Sequence, residues 1–198
     1  MTLDKFYPIV ESADWVRRLV GVGAKLVQLR VKEASDGDVT AEIEGASLAC
    51  DDAGAQLIVN DYWQAAIEAG CDFVHLGQGD LDTADVKAIR KAGVKLGVST
   101  HSHDELDRAL SYDPDYVALG PIYPTALKEM IWEPQGLDRI GEWKKIVGDR
   151  PLVAIGGLTL ERALLCLKAG ADSAAVVTDI VRAANPEARA REWIAATR

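Results

Sequence analysis

Residues 52–77, DAGAQLIVNDYWQAAIEAGCDFVHLG, contain one complete structural unit and decide the fold. A helix-like stretch closes on Gly54 and the apolar run QLIVN follows. The amphipathic YWQAAIEAG then closes on Gly70, and a second apolar run, DFVHLG, begins at once. Glycine takes a left-handed turn without steric cost, so it is the residue on which a helix ends. The Val/Ile/Leu runs lack a polar face, as strands of a parallel sheet covered on both sides do. The unit is therefore strand, helix, parallel strand.

The same grammar recurs at 20–30 (VGVGAKLVQLR), 91–100 (KAGVKLGVST) and 168–177 (KAGADSAAVV). Reading outward predicts strands at 6–10, 25–31, 56–60, 72–77, 95–99, 115–120, 151–156 and 173–178. Between them lie stretches with apolar positions at helical spacing: ADWVRRLVGVG, the segment 39–53, YWQAAIEAG, TADVKAIRKAG, HDELDRALSY, GLDRIGEWKKIVG, TLERALLCLKAG and PEARAREWIAATR. Asp82 or Thr83, and Thr159, are expected to cap the helices they precede. Eight such units closing on themselves make an α/β fold, a compact (β/α)8 TIM barrel forming one domain over residues 1–198. An open doubly wound sheet is the alternative, but no G-x-G-x-x-G follows the first strand.

Composition narrows the function. With 198 residues, 48% hydrophobic and 27% charged, the chain suits one sizeable core. A net charge of −9 argues against a nucleic-acid surface, which needs clustered excess Lys and Arg. The N-terminus shows no basic segment followed by an apolar stretch, and no apolar run is long enough to span a bilayer, so the expectation is a soluble, cytoplasmic protein without a membrane partner. Oligomeric state is left open. Cys50, Cys71 and Cys166 are far apart and without C-x-x-C spacing, which suits buried thiols rather than disulfides or a metal cage.

The chemistry is expected on the rim where the strands end. In QLRVK, Gln28, Arg30 and Lys32 share a face by the two-residue period of a strand, and a cationic pair in a barrel mouth suits a phosphate or diphosphate. Lys32 standing simply in water is the competing reading. Asn60 and Asp61 close the third strand and Asp80 follows the fourth; helix capping competes for the first two. Two carboxylates from adjacent strands match the sparse protein coordination of Mg(II). His75 is a rim residue placed to hydrogen-bond a heterocycle, whereas His101 and His103 are loop or helix-start residues, too few for a zinc site. The double glycine in VAIGGLT and the segment VVTDI occupy the positions where many barrels hold a phosphate on backbone N–H groups, although a tight turn also explains the glycines. PIYPTALKEMIWEPQG, residues 121–136, is much longer than an ordinary βα loop and, with Met130 and Trp132, reads as a lid. No Ser/His/Asp or Cys/His pairing points to covalent catalysis.

Taken in order, QLRVK, VNDYWQAAIEAGCDFVHLGQGDLD, GVSTHS, ALGPIYPT with Lys128, PQGL, VAIGGL and AVVTDI resemble the thiamine-phosphate synthase family over nearly the whole chain. The resemblance implies transfer of a hydroxymethylpyrimidine group from its diphosphate to the ring nitrogen of a thiazole phosphate. It implies that Gln28, Arg30, Lys32 and Asn60 hold the diphosphate, that Asp61 and Asp80 bind Mg(II), and that Ser99 meets the pyrimidine or leaving group. Thr125 would contact the thiazole phosphate, Lys128 the departing diphosphate, and Gly157, Val177 and Thr178 the thiazole phosphate through backbone groups. Arg30, Ser99 and Lys128 are thus the expected catalytic residues. Leu127 stands where the family often has a second lid Thr, and Thr178 where it usually has Ser. A thiazole tautomerase on the same barrel and a non-catalytic phosphate-ligand sensor are the alternatives. The first has no need of a diphosphate clamp, and the second no need of two metal carboxylates.

Overall fold

A computed structural model describes residues 2–32, 35–125 and 132–198. Eight parallel strands close into a barrel in sequence order: β1 (Phe6–Val10), β2 (Leu26–Leu29), β3 (Gln56–Asn60), β4 (Phe73–Leu76), β5 (Lys95–Thr100), β6 (Tyr116–Leu119), β7 (Leu152–Ile155) and β8 (Ser173–Val176). The helices are α1 (Ala13–Gly21), α2 (Asp36–Ala53), α3 (Trp63–Glu68), α4 (Val86–Lys91), α5 (His103–Ser111), α6 (Gly136–Val147), α7 (Leu160–Lys168), α8 (Thr178–Val181) and α9 (Pro186–Thr197). The glycines that close the repeated units do sit at positive φ, 57° at Gly54 and 73° at Gly70.

Several expected boundaries move. β2 ends at Leu29 rather than at residue 31, because only the Arg30 N–H still reaches the β1 ladder, donating to the Val10 carbonyl at 2.7 Å. Asp82 and Thr83 do not cap α4. Asp80–Asp82 form a turn of 3-10 helix, and the Asp85 carboxylate takes the cap by accepting the Ala88 N–H at 3.0 Å. Thr159 caps α7 as expected, accepting from the Arg162 N–H. α8 is an addition that a four-residue helix is too short to announce by periodicity.

Strand alternation sorts the apolar residues into two cores. Val27 and Leu29 face outward into the layer between sheet and helices, which Trp143 and Trp193 help fill. Leu26, Ile58, Phe73, Tyr116 and Val153 face inward, with Tyr7, Ile9, Ala118 and Ala175. The buried Trp143 indole is not orphaned, since Nε1–H donates to Thr100 Oγ1 at 3.0 Å and Thr100 donates to the Ala118 carbonyl at 2.9 Å. Two residues further along β2 to β5, the inner positions turn polar: Gln28 on β2, Asn60 on β3, His75 on β4 and Ser99 on β5. Register puts these side by side, with Asn60 opposite His75 and His75 opposite Gly97. On the β2–β5 side the barrel interior is therefore apolar at the base and polar towards its C-terminal mouth, while Ala118 and Ala175 keep the β6 and β8 side apolar.

Candidate active site at the C-terminal rim

One half of the rim is built from side chains. Arg30 follows β2 half-buried at the mouth, while Lys32 lies exposed beyond the strand end. The shared face predicted for Gln28, Arg30 and Lys32 therefore holds for the first two, and Lys32 stands in solvent. Asn60 and Asp61 are not caps: Tyr62 occupies the cap position of α3, and no side chain bonds there. Asp61 instead adopts a left-handed φ of 65°, a conformation that costs a non-glycine residue energy and is commonest at functional sites. Its N–H donates to the His75 carbonyl at 2.9 Å and its own carbonyl accepts from Trp63 at 2.8 Å.

That geometry brings the Asp61 carboxyl against Asp80. Burial, followed by the charge and hydrogen bond of Asp80, pushes Asp61 up to about 6, with Arg30 and Asn60 acting the other way. Asp80 is fixed by the Gly77 N–H, which donates to Oδ2 at 3.0 Å; a Cβ on Gly77 would lie 2.9 Å from that oxygen. Two facing carboxylates whose mutual repulsion raises a pKa form a donor set that a divalent cation relieves. Among the described residues no cluster of three or more His, Cys, Asp or Glu could hold a metal. A pair of carboxylates is the donor set that suits Mg(II), which takes one or two carboxylates and fills its shell from water and phosphate.

Beneath this rim runs a line of buried polar groups. Gln28 Nε2 donates to Tyr7 Oη at 2.7 Å, Tyr7 Oη lies 2.9 Å from Tyr116 Oη, Tyr116 Oη is 2.7 Å from His75 Nδ1, and His75 Nε2 is 2.8 Å from Ser99 Oγ. Burial and the nearby Arg30 charge lower His75 to about 4, so the imidazole is neutral at physiological pH. Both its nitrogens are engaged inside the protein, and the ring stacks on Tyr116 at 5.5 Å. Tyr116 fits because Gly97 is opposite it: a Cβ there would lie 2.2 Å from the phenol ring. Sequence reasoning placed Tyr7 and Tyr116 simply in strands. The available signal was tyrosine rather than phenylalanine at an inward position, since a buried phenol needs partners. Gln78 was also missed; it donates Nε2 to the Ser99 carbonyl at 2.8 Å and so holds that strand end in place.

The other half of the rim is built from backbone. Gly156 (φ 101°) and Gly157 (φ 64°) form the turn after β7. A Cβ on Gly157 would lie 2.4 Å from the Pro124 carbonyl oxygen, and one on Gly156 would lie 2.6 Å from Pro121 Cα. Glycine is thus demanded by the close approach of the 121–124 segment, whether or not a phosphate binds. The approach is tied by Ile122 N–H to the Ile155 carbonyl at 2.9 Å and Tyr123 N–H to the Gly156 carbonyl at 3.1 Å. Arg162 donates to the Gly157 carbonyl at 2.6 Å while its guanidinium stacks 4.6 Å over Tyr123. Val177 precedes α8 and Thr178 opens it, both half-buried beside this turn. Thr125 is half-buried at the end of the described stretch.

Both ends of the long loop after β6 are anchored. Gln135 N–H donates to the Pro121 carbonyl at 2.7 Å and Gly136 N–H to the Ile122 carbonyl at 3.1 Å. Trp132 stacks on His101 with rings 5.8 Å apart and nearly parallel, and Glu105 fixes that imidazole at 2.7 Å. Leu127, Lys128 and Met130 lie outside the described residues.

Comparison with known proteins finds relatives of one family over nearly the whole chain. The family model described as thiamine monophosphate synthase matches residues 6–180. A thiamine-phosphate synthase from Rhizobium etli is 61% identical over 197 residues, covering 100% of this chain and 97% of that protein. One from Neisseria meningitidis is 51% identical, covering 93% and 90%. Among solved structures, a thiamine phosphate pyrophosphorylase from Pyrococcus furiosus superposes with a TM-score of 0.86 at 25% identity, covering 98% of this chain and 95% of that one.

Proposed function

The chain belongs to the thiamine monophosphate synthase family, and from that premise we propose that it condenses hydroxymethylpyrimidine diphosphate with thiazole phosphate to give thiamine phosphate and diphosphate, as one catalytic unit over residues 1–198. The observation that carries the reading is the Asp61 and Asp80 pair held together beside Arg30 at the mouth of a barrel.

The reaction needs no protein nucleophile. The bond from the pyrimidine methylene carbon to the diphosphate oxygen breaks with both electrons leaving on oxygen. The electron-rich aminopyrimidine stabilises the cation, and the thiazole nitrogen forms the new C–N bond with its own lone pair. The buried thiols are unsuited to attack, since burial pushes Cys50 and Cys166 up to about 12. What the protein must supply is charge neutralisation and alignment. In this reading Arg30, with Asn60 and the solvent-facing Lys32, seats the diphosphate, while Gln28, bonded to Tyr7 beneath the rim, supports the site from below. Ser99 and the lid residue Lys128 act on the leaving group. Asp61 and Asp80 would hold Mg(II), which supplies Lewis-acid stabilisation of the diphosphate. Thr125 and the backbone of Gly157, Val177 and Thr178 seat the thiazole phosphate, while Leu127 supplies no hydroxyl to it. His75 supports the pyrimidine through Ser99. Among the described residues no helix is long and apolar enough to cross a membrane, and we place the activity in the cytoplasm.

The test is to combine purified protein with both substrates, with and without Mg(II), and assay thiamine phosphate and diphosphate. Diphosphate release that requires both substrates and the metal is expected. Thiazole isomerisation without thiamine phosphate would favour the tautomerase, and binding without turnover the sensor.

A further inference from the structure

Hydrogen-bond direction along the buried polar line follows from its first member. The Gln28 amide nitrogen can only donate, and Tyr7 Oη accepts from it. Tyr7 has one further hydrogen-bond partner among the described residues, Tyr116, so the Tyr7 hydrogen goes there. Accepting from Tyr7, the Tyr116 hydroxyl gives its hydrogen to His75 Nδ1. A neutral imidazole that accepts on Nδ1 carries its hydrogen on Nε2, and that hydrogen goes to Ser99 Oγ. Ser99 is left with its own hydrogen to give elsewhere.

Resting on the synthase reading of the rim, we propose that Tyr7 and Tyr116 are positioning residues that, through His75, fix the Ser99 hydroxyl as a hydrogen-bond donor aimed into the site at the pyrimidine diphosphate. The polarity suits that ligand. A diphosphate oxygen only accepts, and its charge grows as the C–O bond breaks, so a donor there works most in the transition state. Run the other way, the chain would present Ser99's lone pairs to an anion. Turning the Gln28 amide over is the rearrangement that reverses the direction while keeping each hydroxyl bonded, because Tyr7 would then donate to the amide oxygen. Gly97 belongs to the same device, since any side chain there displaces the Tyr116 ring.

Two measurements test this. Near neutral pH, nitrogen NMR of the protein labelled at its three histidines, assigned by single substitution, is expected to find the His75 hydrogen on Nε2. In Tyr116→Phe the two tautomers should mix. A parent His75 protonated on Nδ1 would reverse the chain and overturn the proposal. In single-turnover assays, Ser99→Ala and Tyr116→Phe are each expected to slow the step roughly tenfold or more with little change in substrate KM, and the double variant to be no slower than the worse single. Losses that multiply would mean Tyr116 acts independently of Ser99, and would also overturn it. Tyr7→Phe should reproduce the pattern and serves if Tyr116→Phe does not fold. A parent that makes no thiamine phosphate would end the synthase reading, while the tautomer result would still decide the direction of the chain.

Discussion

The two halves of the rim, each proposed to hold a phosphate group in a protein of net charge −9, are built from different materials. From β2 to β5 the groups are side chains in mutual tension: Asp61 in a left-handed backbone, its carboxyl raised by burial and by Asp80, with Arg30 alongside. From β7 to β8 the candidates are backbone groups in a turn whose glycines are already required by packing against residues 121–124. The first half keeps a conflict that a bound cation would resolve, and the second is at rest without one. That difference teaches where substitution should cost activity and where it should cost stability.

The largest effect is expected on the tense side. Arg30→Ala and Asp80→Asn should each slow thiamine phosphate formation at least about a hundredfold at saturating Mg(II), with circular dichroism and melting close to the parent. An Asp80→Asn protein that lost only stability and kept its metal-saturated rate would return Asp80 to a structural role. Next comes Gly157→Ala on the resting side, where a methyl group meets a backbone carbonyl at positive φ. Urea unfolding should register a loss of about 3 kcal/mol, and an unchanged midpoint would break the packing account.

A smaller effect, of opposite sign, returns to Asp61. Burial and the neighbouring Asp80 raise its carboxyl from an ordinary 3.8 to about 6, so the folded state holds the proton more tightly than the unfolded chain. That contribution is complete below about 4 and is lost as pH rises through about 6. In chelator at neutral pH, Asp61→Asn should therefore be more stable than the parent by roughly 1 kcal/mol, less than the full shift implies because the carboxyl is partly wetted. The advantage should vanish as pH falls towards 4, and a variant less stable than the parent at neutral pH would contradict it. The smallest effect is Thr178→Ala, expected to raise KM for the thiazole phosphate about threefold with kcat unchanged. A hundredfold loss would move Thr178 from the backbone seat to the side-chain class.

How much of this could be read beforehand depended on the range of the signal. The barrel was legible because each unit repeats a local rule, a helix ending at a glycine followed by a run with no polar face. Asp61 and Asp80 were legible as a pair because both stand at strand ends. Their contact was not, since it depends on the left-handed Asp61 and on the missing side chain at Gly77. The cap of α4 was misread because Asp82, Thr83 and Asp85 are chemically equivalent candidates, and only the intervening 3-10 turn selects Asp85. Lys32 was counted with Gln28 and Arg30 by a period that stops when β2 stops. Tyr7 and Tyr116 went unnoticed because they are 109 residues apart, joined only when β1 and β6 face each other across the closed barrel.

The pinned neck of the loop after β6 has a consequence for how such a protein can vary. Pro121 and Ile122 on one side meet Gln135 and Gly136 on the other through main-chain hydrogen bonds, so the barrel sees a closed ring whatever residues lie between. Doubling the length of a tethered ring costs only about 0.6 kcal/mol of closure entropy. The segment can therefore gain, lose or exchange residues, as at Leu127, while the eight strands keep their register, making this neck a natural place to graft a different substrate preference onto an unchanged catalytic mouth.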